Sequence, residues 1–142
     1  LLPRIFAKTT FSMYILFVDD LPDTGDVFRL AFGMHGHATR LATTGIEAVD
    51  AVREEHFDAI VMDIEMPQMN GWDAVRGIRK LPNGQDVPII MFTAYGGPHD
   101  RHRALSVGAD DLLQKPVLPQ QLLARIAQLI IERSRPDNHL QS

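Results

Sequence analysis

Residues 59–67 read AIVMDIEMP, in which the unbroken apolar run Ala59–Met62 is followed directly by Asp63. Such a run is typical of a parallel strand that is covered on both faces, because an exposed face would require polar residues at alternate positions. Pro67 and Gly71 mark the loop that leads to the next helical stretch. We therefore predict a central strand of a parallel sheet, with Asp63 directly after its carboxyl end.

The same arrangement, a short apolar run followed by a polar side chain, occurs at three other places. The other runs and their polar residues are Tyr14–Val18 before Asp19 and Asp20, Ile89–Phe92 before Thr93, and Leu112–Gln114 before Lys115. A further segment, His37–Ala42, is short and poorly apolar and suits an edge strand. The carboxyl ends of parallel strands lie along one edge of a sheet, where ligands bind in open α/β folds. We therefore expect three carboxylates, one hydroxyl and one ammonium to share a crevice.

Segments with helical spacing separate these runs. We expect helices at about Asp23–Gly33, from Ile46 to near His56, around Trp72, Val75 and Ile78, at His99–Val107, and from Pro119 onward. The first helix has Val27, Leu30 and Ala31 on one face. The last helix has the strongest amphipathic stripe, formed by Leu122, Leu123, Ile126, Leu129 and Ile130. Five strands alternating with five helices predict a parallel sheet with helices on both faces.

The composition excludes several classes of protein. With 142 residues, 45% hydrophobic and 23% charged, the chain fits one globular domain. The absence of cysteine excludes disulfides, a thiolate metal site and a cysteine nucleophile. A net charge of −4 argues against direct binding to nucleic acid, and no apolar stretch approaches the roughly 20 residues that cross a bilayer. We expect a soluble, cytoplasmic protein without a membrane segment.

Both ends of the chain are expected to lie outside the folded domain, which we assign to residues 13–133. Residues 1–12 lack the apolar core and cleavage site of a signal peptide, and we interpret them as a leader or an appended segment. Residues 134–142 are polar and are interpreted as a tail.

Three carboxylates in one crevice have a direct chemical consequence. Two carboxylates about 4 Å apart repel each other by about 4 kcal/mol at an effective dielectric constant near 20, so the cluster must take up a proton or recruit a cation. A site made of oxygen ligands, few of them from the protein, suits Mg²⁺, with Mn²⁺ as a substitute.

Four motifs follow one another along the chain: Val18-Asp19-Asp20, Met62-Asp63-Ile64-Glu65-Met66-Pro67, Phe92-Thr93-Ala94 and Gln114-Lys115-Pro116. Together with Gly45, Gly71 and the run Gly108–Asp111, they resemble the receiver domain of two-component response regulators over about Met13–Arg133. The resemblance implies an α/β, flavodoxin-like fold, with a doubly wound five-stranded parallel sheet of order 2-1-3-4-5 and helices on both faces.

The resemblance also implies a metal site and a phosphoryl acceptor. Asp20 and Asp63 would ligate Mg²⁺ directly, Asp19 through water, and Glu65 through its backbone carbonyl. Asp63 would be the nucleophile that accepts a phosphoryl group.

The remaining site residues would hold the phosphoryl oxygens. Lys115 would offset their negative charge, and the Thr93 hydroxyl and the Ala94 backbone N–H would donate to another oxygen. The resemblance further favours a cis peptide bond between Lys115 and Pro116.

The implied function is that of a phospho-accepting module in a phosphorelay. It would take a phosphoryl group from a histidine kinase or phosphotransfer protein, switch conformation to control a downstream protein, and lose the group by slow autodephosphorylation. The fourth helix, fifth strand and fifth helix, at about Asp100–Val107, Asp111–Gln114 and Gln120–Ile131, are the expected output surface. The same surface could form a homodimer.

One position departs from the family pattern. Receivers usually carry Tyr or Phe three positions before the lysine, where this chain has Leu112. We hypothesise that Tyr95, in a loop followed by two glycines, replaces that aromatic residue as the mobile switch.

Three alternatives stay open at this point. The chain could be a receiver cut from a hybrid histidine kinase, or a pseudo-receiver used only for docking. It could also be a phosphatase of the haloacid-dehalogenase type, but such enzymes carry a second aspartate two positions after the nucleophile, where this chain has Glu65.

Overall fold

The computed structural model describes residues 12–134, which fold into a parallel sheet between two layers of helices. The strands are β1 (Tyr14–Val18), β2 (Ala38–Ala42), β3 (Ala59–Asp63), β4 (Ile89–Thr93) and β5 (Asp111–Gln114). The helices are α1 (Pro22–Met34), α2 (Gly45–Glu54), α3 (Gly71–Arg79), α4 (Pro98–Val107) and α5 (Pro119–Arg133), with a short 3₁₀ turn at Pro82–Gly84. The expected leader and tail fall outside the described residues, except for Ser12 and Ser134.

The order of the strands across the sheet is β2-β1-β3-β4-β5, and every neighbouring pair is parallel. The predicted fold class, strand order and number of helices are therefore confirmed. The direction of winding reverses between β1 and β3, which pair with each other. This switch point is where open α/β sheets form their ligand crevice, and Asp19, Asp20 and Asp63 lie at the ends of these two strands.

The core has two parts, one on each face of the sheet. Buried residues of α2, α3 and α4 cover one face, and buried residues of α1 and α5 cover the other. All five positions of β3 and of β4 are buried, which confirms the prediction that Ala59–Met62 belongs to a central strand. The stripe on α5 packs as expected, with Leu122, Ile126 and Leu129 buried. Within residues 12–134, none of the helices has the length and apolar character needed to span a membrane.

The buried face of α1 differs from the face that the sequence suggested. Val27 and Leu30 are 61% and 69% exposed. Phe28 and Phe32 pack instead against Phe17 of β1, with ring centroids 4.7 Å and 6.3 Å from that of Phe17. The reason is volume: two rings at i and i+4 fill the space over β1 better than the smaller aliphatic side chains.

The strands also extend slightly further than predicted. Asp63 and Thr93 are the last residues of β3 and β4 rather than the first residues after them, because they still pair with Phe92 and Gln114 across the sheet. At its other end β5 begins at Asp111, whose buried carboxylate accepts a hydrogen bond from Arg125 Nε at 2.6 Å and forms an ion pair with Arg101 Nη2 at 2.8 Å. This carboxylate therefore links α4, β5 and α5.

A second ionic cluster also lies at the amino-terminal end of the sheet, next to Asp111. The guanidinium of Arg79 donates to the carbonyl oxygens of Gly84 and Val87, at 2.9 Å and 2.6 Å, and to that of Gly108 at 2.9 Å. Its remaining nitrogen lies 3.2 Å from Oδ2 of Asp110. Arg79 thus joins the end of α3 to the segments that lead into β4 and β5.

Candidate functional site

Three carboxylates converge where the first and third strands end. Asp19, Asp20 and Asp63 each contribute one oxygen to a group whose members all lie within 4.8 Å of one another. Asp19 is held there by its own backbone, because its N–H donates to Ala42 O at 3.1 Å and so extends the pairing of β1 with β2. The structure thus brings together the acidic residues that the sequence singled out.

The Asp19 carboxylate is only partly satisfied. Its Oδ1 accepts a hydrogen bond from the Leu21 N–H at 2.8 Å, whereas Oδ2 is buried and has no partner among residues 12–134. Burial raises the pKa of Asp19, and the Leu21 N–H and the Lys115 ammonium oppose this effect without cancelling it. A buried anionic oxygen without a donor is costly, so this atom is suited to a cation.

Asp63 is 1% exposed and lies at the centre of the site. Its Oδ1 lies 3.3 Å from Nζ of Lys115 and accepts a hydrogen bond from the Glu65 N–H at 3.2 Å. The pKa of Asp63 is raised to about 6 in total, mainly by burial. The Lys115 ammonium opposes this shift, and the neighbouring Asp19 carboxylate adds to it. The positive charge present in the site therefore does not fully offset the cost of the buried carboxylates.

These observations test whether the site suits a metal ion. Oxygens from the three carboxylates lie within 4.8 Å of one another, and Oδ2 of Asp19 is buried without a donor among residues 12–134. A hard divalent cation prefers such an all-oxygen set. The residues present therefore fit Mg²⁺. The side chain of Glu65 does not belong to this group, since its carboxylate is hydrogen-bonded to Thr93 and Ala94.

Lys115 reaches the acidic cluster from the end of β5. Its backbone N–H donates to Thr93 O at 2.7 Å, which joins the carboxyl ends of β4 and β5. The ammonium also lies 4.8 Å from the centroid of the Phe92 ring. The peptide bond between Lys115 and Pro116 is cis, as the sequence resemblance implied.

Thr93, the last residue of β4, and Ala94, which follows it, both contact Glu65. Thr93 Oγ1 donates to Oε2 of Glu65 at 2.5 Å, and the Ala94 backbone N–H donates to Oε1 at 3.2 Å. The sequence led us to expect the backbone carbonyl of Glu65 at the metal site and its carboxylate near the phosphoryl group, but not this pairing with Thr93 and Ala94. No sequence signal marks the bond to Thr93, because Glu65 and Thr93 are 28 residues apart in the chain.

The loop after Asp63 approaches the strand closely at Gly71. A Cβ atom on Gly71 would lie 2.4 Å from the backbone oxygen of Asp63 and 2.9 Å from Cα of Ile64. The Gly71 N–H donates to Ile64 O at 3.0 Å and closes the loop. Glycine is thus required here for close packing, and the loop in turn holds the backbone around Asp63 in place.

The two residues considered for the switch lie in different environments. Leu112 is 5% exposed and belongs to the core on the side of α2, α3 and α4. Tyr95 is 72% exposed, and its backbone N–H donates to Thr93 Oγ1 at 3.1 Å. The Thr93 hydroxyl therefore bridges the Glu65 carboxylate and the backbone of the loop that carries Tyr95.

Comparison with protein families gives one result for most of the chain. Residues 15–127 match the family described as response regulator receiver domain. The chain is 37% identical over 130 residues to the response regulator MprA of Mycobacterium leprae, an alignment that covers 92% of this chain and 56% of that protein. It therefore spans about half the length of this curated relative.

Solved structures show the same likeness. The receiver domain of the sensor histidine kinase PA1611 from Pseudomonas aeruginosa, which has a magnesium ion in its active-site cleft, is 34% identical, with a TM-score of 0.77 over 84% of this chain and 98% of that one. The chemotaxis protein CheY4 of Vibrio cholerae is 28% identical, with a TM-score of 0.79 over 84% of this chain and 99% of that one. The family match, the shared fold and the strand order agree: the chain belongs to the response regulator receiver domain family.

Proposed function

We propose that this receiver is the phospho-accepting module of a phosphorelay, in which Asp63 takes a phosphoryl group from the phosphohistidine of a histidine kinase or phosphotransfer protein. The observation that carries the proposal is the convergence of Asp19, Asp20 and Asp63 with Lys115 at one edge of the sheet. A carboxylate nucleophile surrounded by further carboxylates and an ammonium is suited to a cation and a phosphoryl group.

The transfer is a single displacement at phosphorus. A carboxylate oxygen of Asp63 forms a bond to phosphorus while the bond from phosphorus to the donor's imidazole nitrogen breaks. The nitrogen keeps the electron pair of that bond, and the donor leaves as a neutral imidazole because its other ring nitrogen carries a proton. The Lys115 ammonium, 3.3 Å from Oδ1, offsets the charge on the phosphoryl oxygens, and Thr93 and Ala94 supply the further donors.

We propose Mg²⁺ as the cation, with Mn²⁺ as a substitute, held by Asp19, Asp20, Asp63 and the backbone carbonyl of Glu65. When bound, such an ion neutralises charge on both the carboxylates and the phosphoryl group. The support is the donor set of this site and the magnesium ion in the PA1611 receiver domain.

Loss of the phosphoryl group resets the module. The oxygen of a water molecule bonds to phosphorus, the bond to Asp63 breaks, and inorganic phosphate leaves. The protein acts on its own side chain, so it is a self-directed phosphotransferase and autophosphatase rather than a turnover enzyme. A kinase-coupled module of this kind would act in the cytoplasm, which cell fractionation would test.

We further propose that α4, β5 and α5 form the output surface for a downstream protein, or for a second copy of the chain. The carboxylate of Asp111 supports this, because it binds Arg101 of α4 and Arg125 of α5 and so couples the three elements. Tyr95 remains the proposed mobile aromatic, since Leu112 is buried in the core. Sedimentation with and without beryllofluoride would detect dimerisation, and Tyr95→Ala would test the switch.

The test of the proposed function is labelling with acetyl phosphate and Mg²⁺, followed by intact-mass measurement. The parent and the surface control Asp50→Asn are expected to gain one phosphoryl group, whereas Asp63→Asn is expected to gain none. If the parent stays unlabelled with donor and metal in excess, the module is a docking-only pseudo-receiver. Sustained hydrolysis of a generic phosphomonoester would instead indicate a phosphatase of the haloacid-dehalogenase type.

A further inference from the structure

The donors assigned above to the phosphoryl oxygens are already engaged by a carboxylate of the same chain. Oε2 of Glu65 accepts from the Thr93 hydroxyl at 2.5 Å, and Oε1 accepts from the Ala94 N–H at 3.2 Å. One carboxylate thus binds the two donors, from adjacent residues, that are assigned above to a phosphoryl oxygen. Hydrogen bonds to an ionised acceptor are also the stronger kind.

We propose that Glu65 is a tethered competitor for the phosphoryl-oxygen site. In the unphosphorylated protein its carboxylate occupies the donors of Thr93 and Ala94, and it is displaced when Asp63 is phosphorylated. The proposal rests on the proposed function, because it names what that chemistry must displace. A hydroxyl has a single proton to donate, so Thr93 cannot serve both anions at once.

The position of Glu65 suits a group that remains at the site but can move out of it. Its backbone is anchored beside the acceptor, because its N–H donates to Oδ1 of Asp63 at 3.2 Å. Its side chain lies on the surface, so the displaced carboxylate enters water rather than a dry interior. Displacement therefore avoids the large penalty of leaving a buried charge without a partner.

The exchange of one acceptor for another reduces the free energy that phosphorylation gains through Thr93. The Thr93 hydroxyl gives up one charged acceptor and gains another, so its net gain on phosphorylation is smaller than that of a hydroxyl exposed only to water. The same hydroxyl accepts from the Tyr95 N–H at 3.1 Å. When the Thr93 hydroxyl exchanges its acceptor, the hydrogen bond that it accepts from the loop carrying Tyr95 is therefore affected directly.

The test is a double-mutant cycle on the affinity for beryllofluoride in the presence of Mg²⁺, measured by calorimetry on the full chain. Glu65→Ala removes the competitor and is expected to bind about tenfold more tightly than the parent, which corresponds to about 1.4 kcal/mol. Glu65→Gln keeps an acceptor oxygen without the charge, and its affinity is expected to lie between those of the parent and Glu65→Ala. Asp23→Asn, which removes an exposed charge from the first turn of α1, controls for general charge and is expected to bind nearly like the parent.

The decisive comparison is the effect of Thr93→Ala in two backgrounds. If Glu65 competes for the hydroxyl, Thr93→Ala costs about tenfold more affinity in the Glu65→Ala background than in the parent. In that background Thr93 gains its bond to beryllofluoride without giving up a bond to Glu65. Equal costs in the two backgrounds would overturn the proposal and leave Glu65 a purely electrostatic role. Unchanged affinity in Glu65→Ala would overturn it as well.

Failure of the two proposals can be told apart. If no protein in the set, including the parent, binds beryllofluoride, the proposed function itself fails and the competitor fails with it. If the parent binds but the cycle is additive, only the competitor fails. An amide spectrum of the unphosphorylated protein gives a second readout, in which the Ala94 N–H resonance is expected to move in Glu65→Ala and to stay in place in Asp23→Asn.

Discussion

Nζ of Lys115 lies 3.3 Å from Oδ1 of Asp63, and the two side chains differ strongly in exposure: the lysine is 33% exposed and the aspartate 2%. The ammonium is thus partly hydrated while its partner is almost completely buried. Water weakens the attraction but does not lower the cost of burying the carboxylate. This imbalance explains why the pKa of Asp63 is raised to about 6 although a lysine lies beside it.

Asp63→Asn is expected to stabilise the metal-free protein, by an amount that depends on pH. A carboxyl whose pKa is raised from 3.8 to about 6 on folding contributes stability that is complete below 3.8 and is lost as the pH rises through about 6. The asparagine avoids that loss, so the variant should gain about 1–3 kcal/mol over the parent near pH 7.5 and almost nothing near pH 4. Urea unfolding in a chelator at both pH values measures the difference.

The matched control is Asp50→Asn on α2, whose carboxylate pairs with Arg53 at 2.7 Å while both side chains are more than half exposed. Exposed pairs contribute little, so this variant should change the free energy of unfolding by less than about 0.5 kcal/mol at either pH. A gain in Asp63→Asn that does not vary with pH would contradict the assignment of the effect to the ionised carboxylate.

Mg²⁺ is expected to raise the melting temperature of the parent by binding the folded state alone. At about 100 times the dissociation constant, such a ligand stabilises by about 2.7 kcal/mol. Asp20→Asn, which removes one carboxylate of the cluster, should lose most of this effect, and chelation should reverse it in the parent. A similar Mg²⁺-induced shift in Asp20→Asn and in the parent would place the ion elsewhere.

Asp111→Asn is expected to destabilise the fold by about 3 kcal/mol, because it leaves the partly buried Arg125 without its charged partner. The Asp111 side chain is 6% exposed and Arg125 is 25% exposed, whereas Arg101 is 55% exposed. Arg101→Ala should therefore cost less than about 1 kcal/mol. Equal losses in the two variants, measured by urea unfolding, would show that burial does not govern this network.

Gly71→Ala is expected to cost about 1–3 kcal/mol, since the new methyl group would overlap the backbone at Asp63 and Ile64. It should also slow labelling at Asp63, because the loop around that residue must shift. Gly33 of α1 is the matched control: a Cβ atom there would meet nothing within 4 Å, and alanine should stabilise the helix by about 0.5–1 kcal/mol. Stabilisation of both variants would mean that the loop at Gly71 is more adaptable than its contacts indicate.

The features that could be predicted from the sequence are those set by hydrophobic pattern and chain order. Asp63 comes directly after four apolar residues, and that alone placed it at the end of a central strand. Once the strands are parallel, the positions of Asp19 and Lys115 follow from geometry, because each comes directly after another strand.

What could not be predicted depends on tertiary partners. The buried face of α1 is set by packing against the Phe17 ring of β1. The local pattern of Val27 and Leu30, which are exposed, does not reveal this contact. The Glu65 carboxylate likewise finds Thr93 only after two strands have brought their loops together. Such contacts are set by side-chain volume and hydrogen bonding in the assembled fold.

The Arg79 cluster and the acidic site lie at opposite ends of the sheet and have different roles. At the amino-terminal end, four carbonyl oxygens and the Asp110 carboxylate contact the Arg79 guanidinium. At the carboxyl-terminal end, a carboxylate oxygen of Asp19 is left without a partner among residues 12–134. Arg79 joins segments at one end of the sheet, and the proposed phosphoryl chemistry takes place at the other end. Substitutions at Arg79 are therefore expected to change the stability of the fold without altering the residues of the site.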